Sequence, residues 1–263
     1  MSTMWDGTYT ALVTPFAADG AINNDLLCDL VDWQLQSGVD GIVPCGTTGE
    51  ASTITNDEHA SVIEAVVTRV NGQAKVLAGV GGNDTRNVTI LASRALEMGA
   101  DGVLAVAPYY NKPTQAGMVA HFTAIADTVD IPLVLYNVPG RTSSNILPTT
   151  VLRLAEHPNI VGIKEASGDL GQVMTILAGR TKGFSVLSGE DDLTLAMISL
   201  GAEGVISVVS NEVPNEMSKM VRYALNGKLD LAREIHYRLL GLMNANFIET
   251  NPIPVKAALA MMG

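Results

Sequence analysis

Short apolar, β-branched segments recur along the chain with helix-length stretches between them, and this alternation constrains the fold more than any other feature. The segments are TYTALVTP (8–15), DGIVPC (40–45), KVLAGV (75–80), DGVLAVAP (101–108), PLVLYNVP (132–139), IVGIKEAS (160–167), FSVLSG (184–189) and GVISVVS (204–210). Strands separated by helices are joined by crossovers and therefore run parallel. Eight such units point to a closed (β/α)8 barrel, with an open doubly wound sheet as the alternative. Three stretches, SGVDGIV (37–43), MGADGVL (98–104) and LGAEGVI (200–206), repeat one phrase: a helix end, Gly-x-Asp/Glu-Gly, then an apolar strand. The chain thus reuses a βα unit. After about Arg222 the strands stop, and LDLAREIHYRLLGLMNANFIE has helical spacing up to the proline break at NPIP (251–254). The expected organisation is a barrel over residues 1–224 with a short C-terminal helical region over 225–263 that has no second core.

Charge and composition narrow the function. With a net charge of −11 and a pI of about 4.7, the chain is unsuited to nucleic acid or to an acidic membrane surface. No eighteen-residue apolar run appears, and the start lacks a basic segment followed by an apolar one, so the expected compartment is the cytoplasm. Cys28 and Cys45, the only cysteines, fit a reducing environment and read as packing residues.

In a (β/α)8 barrel the chemistry lies where strands end and βα loops begin. Those positions hold Thr47-Thr48-Gly49-Glu50, Tyr109-Tyr110-Asn111, Tyr136, Gly140-Arg141-Thr142, Lys164 and Gly189-Glu190-Asp191-Asp192. Lys164 is the unusual one, because it ends an apolar strand. An ammonium taken into such surroundings must be paired, reach water or shed its proton. Pairing with a carboxylate at the rim is the plain alternative; the neutral amine, by contrast, is a nucleophile for carbonyl carbon. Period-two alternation puts Gly162 on the same face, which predicts open space beneath the lysine. Tyr136, on the preceding strand, reaches the same rim, where a phenol either packs as a ring or carries protons for imine chemistry.

Other chemistries find less support. GTTGE (46–50) offers backbone N–H groups and two hydroxyls to a small carboxylate or phosphate, but it lacks the lysine of a P-loop, and Gly79-Val80-Gly81-Gly82 lacks the dinucleotide spacing. Arg141 is either a solvated loop residue or a bidentate grip on a carboxylate. His59, His121, His157 and His236 are scattered without metal-site spacing, so no metal or cofactor is expected. Glu190-Asp191-Asp192 reads as acid favouring the N-terminus of the next helix. No GxSxG is present. Amine catalysis on a keto acid remains.

GTTGE, PYYNKP (108–113), YNVPGRT (136–142), GIKEAS (162–167) and NPIPVK (251–256), in this order, resemble the dihydrodipicolinate synthase and N-acetylneuraminate lyase superfamily, and within it the dihydrodipicolinate synthase branch. The resemblance runs from about residue 5 to the last residue. It implies that Lys164 forms a Schiff base with pyruvate and that Tyr136, Thr47 and Tyr110 form a proton relay. Tyr110 would be lent by a neighbouring subunit, so a homo-oligomer is implied. It further implies that Thr47 and Thr48 hold the pyruvate carboxylate, that the carbonyls of Gly189 and Ile206 line the pocket, and that Arg141 receives the carboxylate of L-aspartate 4-semialdehyde. YNVPGRT, with its single arginine, argues against the sialate lyase and 2-keto-3-deoxy sugar acid aldolase branches, whose polyol acceptors need several hydroxyl-bonding side chains. The complete set of residues argues against a non-catalytic relative.

The resemblance implies two further properties. In lysine-sensitive members an interfacial site binds the inhibitor's ammonium, and His59, Asn83 and Tyr109 match it, but Asn87 stands where those members carry glutamate. Weak or absent inhibition by L-lysine is expected. Members also continue in further helices past NPIPVK, whereas this sequence ends at Ala260-Met261-Met262-Gly263. That bears on assembly more than on chemistry.

Overall fold

The computed structural model describes residues 5–263; residues 1–4, part of the expected barrel unit and of the start searched for an export signal, lie outside the described residues. Eight strands, β1 (Gly7–Ala11), β2 (Gly41–Val43), β3 (Lys75–Gly79), β4 (Gly102–Val106), β5 (Leu133–Asn137), β6 (Ile160–Glu165), β7 (Ser185–Ser188) and β8 (Gly204–Ser207), pair in chain order. All pairings are parallel, and β1 pairs with β8 from Gly7↔Gly204 to Thr10↔Ser207, so the barrel is closed and the open-sheet alternative falls. Each apolar segment supplies one strand. The strands end before their segments do: β2 stops at Val43 and β4 at Val106, because the last apolar residues turn out of the ladder to build the rim.

Around the barrel run α1 (Asn24–Gln36), α2 (Asn56–Val70), α3 (Thr85–Glu97), α4 (Gln115–Thr128), α5 (Pro139–Thr142), α6 (Pro148–Leu154), α7 (Leu170–Gly179), α8 (Thr194–Ser199) and α9 (Pro214–Leu225). The chain finishes with α10 (Leu229–Ala245) and α11 (Ile253–Met262). No helix among the described residues is long and apolar enough to cross a membrane.

The repeated phrase has a physical basis in both its glycines and its acid. Gly38, Gly99 and Gly201 follow helix ends with φ of 77°, 85° and 110°, the left-handed conformation that terminates a helix. The acids then reach sideways: Asp40 accepts the N–H of Thr8 at 2.8 Å, Asp101 that of Val76 at 2.7 Å and Glu203 that of Val186 at 2.9 Å. Each carboxylate thereby caps the start of the adjacent strand. The second glycines make room at the barrel floor, since a Cβ on Gly41 would lie 2.2 Å from the Tyr9 ring and one on Gly102 2.5 Å from Trp5.

Inside the barrel, Tyr9, Leu77, Leu104, Val134, Leu187 and Ile206 form a packed plug, and a larger apolar layer lies between strands and helices. The C-terminal helices have no core of their own. α10 shares a cluster with α8 and α9 through Met217, Met220, Ile235, Leu239 and Met243, while Val255 of α11 packs on Val13 and Val208 beyond the ends of β1 and β8. α11 therefore sits at the rim.

Candidate active site

Strand register sets the centre of the site. Tyr136 of β5 lies directly opposite Lys164 of β6, and Lys164 opposite Leu187 of β7. Lys164 is only 5% exposed, and its Nζ lies over the Tyr136 ring, 4.4 Å from the centroid. Among the described residues no carboxylate forms an ion pair with it, so the plain pairing alternative falls. The carboxylate next in sequence faces elsewhere: Glu165 accepts hydrogen bonds from Asn137 Nδ2, the Ser167 N–H at 2.7 Å and Gln172 Nε2 at 3.1 Å.

One expectation for these strand ends is corrected and another is refined. The space beneath the lysine does not come from Gly162, where a Cβ would lie 2.8 Å from the Ser185 carbonyl; that glycine admits the β7 backbone. The glycine against the lysine is Gly189, whose Cβ would come within 3.0 Å of Lys164 Cε and 2.6 Å of Ala166 Cβ. No residue of the acidic run caps the next helix, for α8 has no side-chain cap. Instead Asp191 Oδ2 accepts the N–H groups of Val208 and Val209, at 3.1 and 2.8 Å, and ties the end of β8 to the end of β7. Burial pushes the Glu190 carboxyl up to about 7, helped by Asp192, while Lys164 and Arg141 pull it down.

The GTTGE turn is held in an unusual backbone. Cys45, just before it, and Glu50, its last residue, have φ of 55° and 57°, a left-handed conformation that costs a residue with a Cβ roughly 1–3 kcal/mol. Burial raises the Cys45 thiol to about 12, in keeping with a packing residue rather than a reactive one. Thr47 is half-buried, whereas Thr48 is buried and its Oγ1 accepts a hydrogen bond from Asn251 Nδ2 at 2.9 Å. Arg141, on the single turn α5, is exposed, and its Nη2 donates to the Asn251 carbonyl at 2.9 Å. Gly189 and the buried Ile206 close the strand ends on the far side.

Thr47, Tyr136 and Arg141 line one cavity of ≈ 510 Å³ together with His59, Asn83, Asn87 and Tyr109. Within a single chain, Thr47, Tyr136 and Arg141 thus share a continuous space with the four residues matched to inhibition. His59 is buried and bonded through Nε2 to the Gly79 carbonyl at 2.7 Å, and burial lowers its pKa. Asn87 Oδ1 accepts from Asn56 Nδ2 at 3.1 Å. Tyr110 stands apart from the cavity. It is 88% exposed with φ of 67°, an aromatic held outward at conformational cost.

Sequence reasoning missed Asn251, the strain around the turn and the part played by Gly189. NPIPVK was visible as a motif, but nothing local says which loops it touches.

The closed (β/α)8 barrel, with a buried lysine set against a tyrosine at its C-terminal rim and no carboxylate paired with that lysine among the described residues, places the chain in the class of (β/α)8-barrel proteins with an amine at the strand ends. Over residues 4–263 the chain belongs to the dihydrodipicolinate synthetase family. It is 54% identical over 260 residues to the 4-hydroxy-tetrahydrodipicolinate synthase of Pelobacter propionicus, covering 99% of this chain and 89% of that one. Among solved structures it is similar to dihydrodipicolinate synthase from Aquifex aeolicus, with a TM-score of 0.97 and 47% identity over 98% of this chain and 88% of that chain. It is also similar to a monomeric dihydrodipicolinate synthase variant, with a TM-score of 0.96 and 43% identity over 99% of this chain and 88% of that chain.

Proposed function

We propose that this chain condenses pyruvate with L-aspartate 4-semialdehyde to 4-hydroxy-tetrahydrodipicolinate, in the cytoplasm, as a step toward lysine and diaminopimelate. The enzyme is a lyase working through a lysine Schiff base. The observation that carries the reading is the unpaired Lys164 Nζ against the Tyr136 ring, beside a cavity that also holds an arginine. In this reading residues 1–224 are the catalytic barrel and 225–263 the helical region.

Lys164 Nζ attacks C2 of pyruvate and the carbinolamine loses water, giving an iminium. Loss of a proton from the methyl group gives the enamine, with the electron pair returned toward nitrogen. The enamine carbon then attacks the aldehyde carbon, whose oxygen takes a proton. Finally the acceptor's own amine attacks C2 and expels Lys164. These transfers need a group that gives and takes protons beside the amine, and Tyr136 with Thr47 and a neighbour's Tyr110 is our relay. Thr47 and Thr48 hold the pyruvate carboxylate, the Gly189 and Ile206 carbonyls line the pocket, and Arg141 holds the acceptor carboxylate. Rates with pyruvate plus aspartate semialdehyde, set beside sialic acid cleavage, test the assignment: faster cleavage of sialic acid would overturn it.

The outward-held Tyr110 supports a homo-oligomer with shared sites. Tyr110→Phe and Lys164→Arg, each inactive alone, should regain activity when mixed under subunit exchange, since some sites then draw both intact groups. Absence of recovery after mixing is shown by native mass spectrometry would place the tyrosine in its own chain.

His59, Asn83, Asn87 and Tyr109 supply at most a weak lysine site. The Asn87 carbonyl is already used by Asn56, and a neutral amide lacks the Coulombic attraction that a carboxylate offers an ammonium. Initial rates against L-lysine should therefore fall little in the wild type and more in Asn87→Glu. Strong wild-type inhibition at sub-millimolar lysine would contradict this.

A further inference from the structure

NPIPVK lies far in sequence from the strand ends, yet it touches the carboxylate-binding loops three times. Asn251 Nδ2 donates to Thr48 Oγ1 at 2.9 Å, and the Asn251 carbonyl accepts from Arg141 Nη2 at 2.9 Å. Lys256 Nζ donates to Glu50 Oε1 at 2.5 Å and to the Thr14 carbonyl at 2.9 Å. One residue, Asn251, therefore meets both the threonine turn and the arginine.

We propose that Asn251 is a positioning residue that aims the Thr48 hydroxyl proton at the first substrate's carboxylate and holds the Arg141 guanidinium for the second. The inference rests on the reading of Thr48 and Arg141 given above. A hydroxyl has one proton and two lone pairs. Because Asn251 occupies a lone pair as a donor, the proton of Thr48 stays free for an acceptor, and a carboxylate is the acceptor that this pocket receives. Thr14, a buried hydroxyl bonded to the same turn, spends its proton on the Gly49 carbonyl at 2.7 Å, so the turn's backbone is already served. Helix capping does not explain Asn251 either: α11 has no side-chain cap. Nor does the anchoring of α11, which Lys256 and Val255 supply. Asn251 is 5% exposed and its Oδ1 has no partner among the described residues, so the amide is kept in the interior for the one bond its Nδ2 makes.

The test is a KM split within a double-mutant cycle, on full-length enzyme. Asn251→Ala removes the side-chain donor and keeps the backbone carbonyl, so the pyruvate KM should rise about tenfold, the worth of one hydrogen bond to an ionised group, with the aldehyde KM little changed. In a Thr48→Val background the same substitution should change the pyruvate KM by less than about twofold, because the group it acts through is gone. Asn251→Asp, nearly isosteric, accepts where asparagine donates and should raise the pyruvate KM further. Equal increases in both KM values, or effects that multiply in the double variant, would overturn the proposal. So would loss of folding in both Asn251→Ala and Asn251→Asp, which would make the residue purely structural. If Thr48→Val alone leaves the pyruvate KM unchanged, the reading of Thr48 fails instead.

Discussion

Lys164→Arg is expected to lower turnover by on the order of 10³-fold or more while leaving the fold intact, because it keeps the positive charge and removes the nucleophile. Charge matters here: Lys164 is buried, and the Glu190 and Asp191 carboxylates both feel its field. A neutral replacement would leave that acidic cluster without its cation, so lost activity could be mistaken for lost folding. Arginine retains the field, but its guanidinium stays protonated and does not attack carbonyl carbon. The wild-type enzyme treated with borohydride and pyruvate should carry its reduced adduct at Lys164, and Lys164→Arg should carry none. Peptide mapping of the adduct decides the matter, since mass at Lys75, Lys112 or Lys256 would remove the assignment. Lys256 is a poor competitor on structural grounds, being paired with Glu50 and set over the Phe16 ring at 4.5 Å.

Arg141→Ala should separate the two halves of the reaction. Removing a bidentate, charge-assisted grip on a substrate costs on the order of 2–4 kcal/mol, or about 30- to 1,000-fold in kcat/KM for the aldehyde. Pyruvate trapping at Lys164 should be nearly unaffected. The structure sharpens the expectation, because one nitrogen of the guanidinium is held by the Asn251 carbonyl while the side chain lines the cavity, where the proposed second substrate would meet it. Arg141→Lys should recover only part of the activity, as a point charge cannot reproduce two parallel hydrogen bonds. An equal loss of pyruvate trapping in Arg141→Ala would show instead that the arginine serves the first step.

Much of the site was legible because barrel geometry turns strand ends into neighbours. Once the eight apolar segments are recognised as parallel strands, residues at their C-terminal ends must converge, so Lys164 and Tyr136 fall together without knowledge of any distance. Asp191 and Gly189 resisted the same logic. Their partners, the N–H groups of Val208 and Val209 just past β8 for one and Lys164 Cε on β6 for the other, belong to neighbouring βα units, and which atoms meet depends on register and loop path rather than on residue type. Gly162 shows the converse: its face was read correctly from alternation, but the volume beside it was filled by Ser185 from the next strand.

By itself, the sequence determined the barrel and its repeated βα joint and singled out Lys164 as the candidate amine, because alternation of apolar residues, left-handed glycines and a charge in an apolar strand are local signals with local physical causes. Only the tertiary structure decided that Lys164 has no carboxylate ion-pair partner among the described residues, that Asn251 bridges Thr48 and Arg141, and that Thr47, Tyr136 and Arg141 share one cavity with His59, Asn83, Asn87 and Tyr109. Those facts rest on contacts between segments far apart in the chain. Such contacts are set by how the closed sheet and the rim helix α11 pack, and no spacing along the sequence encodes them.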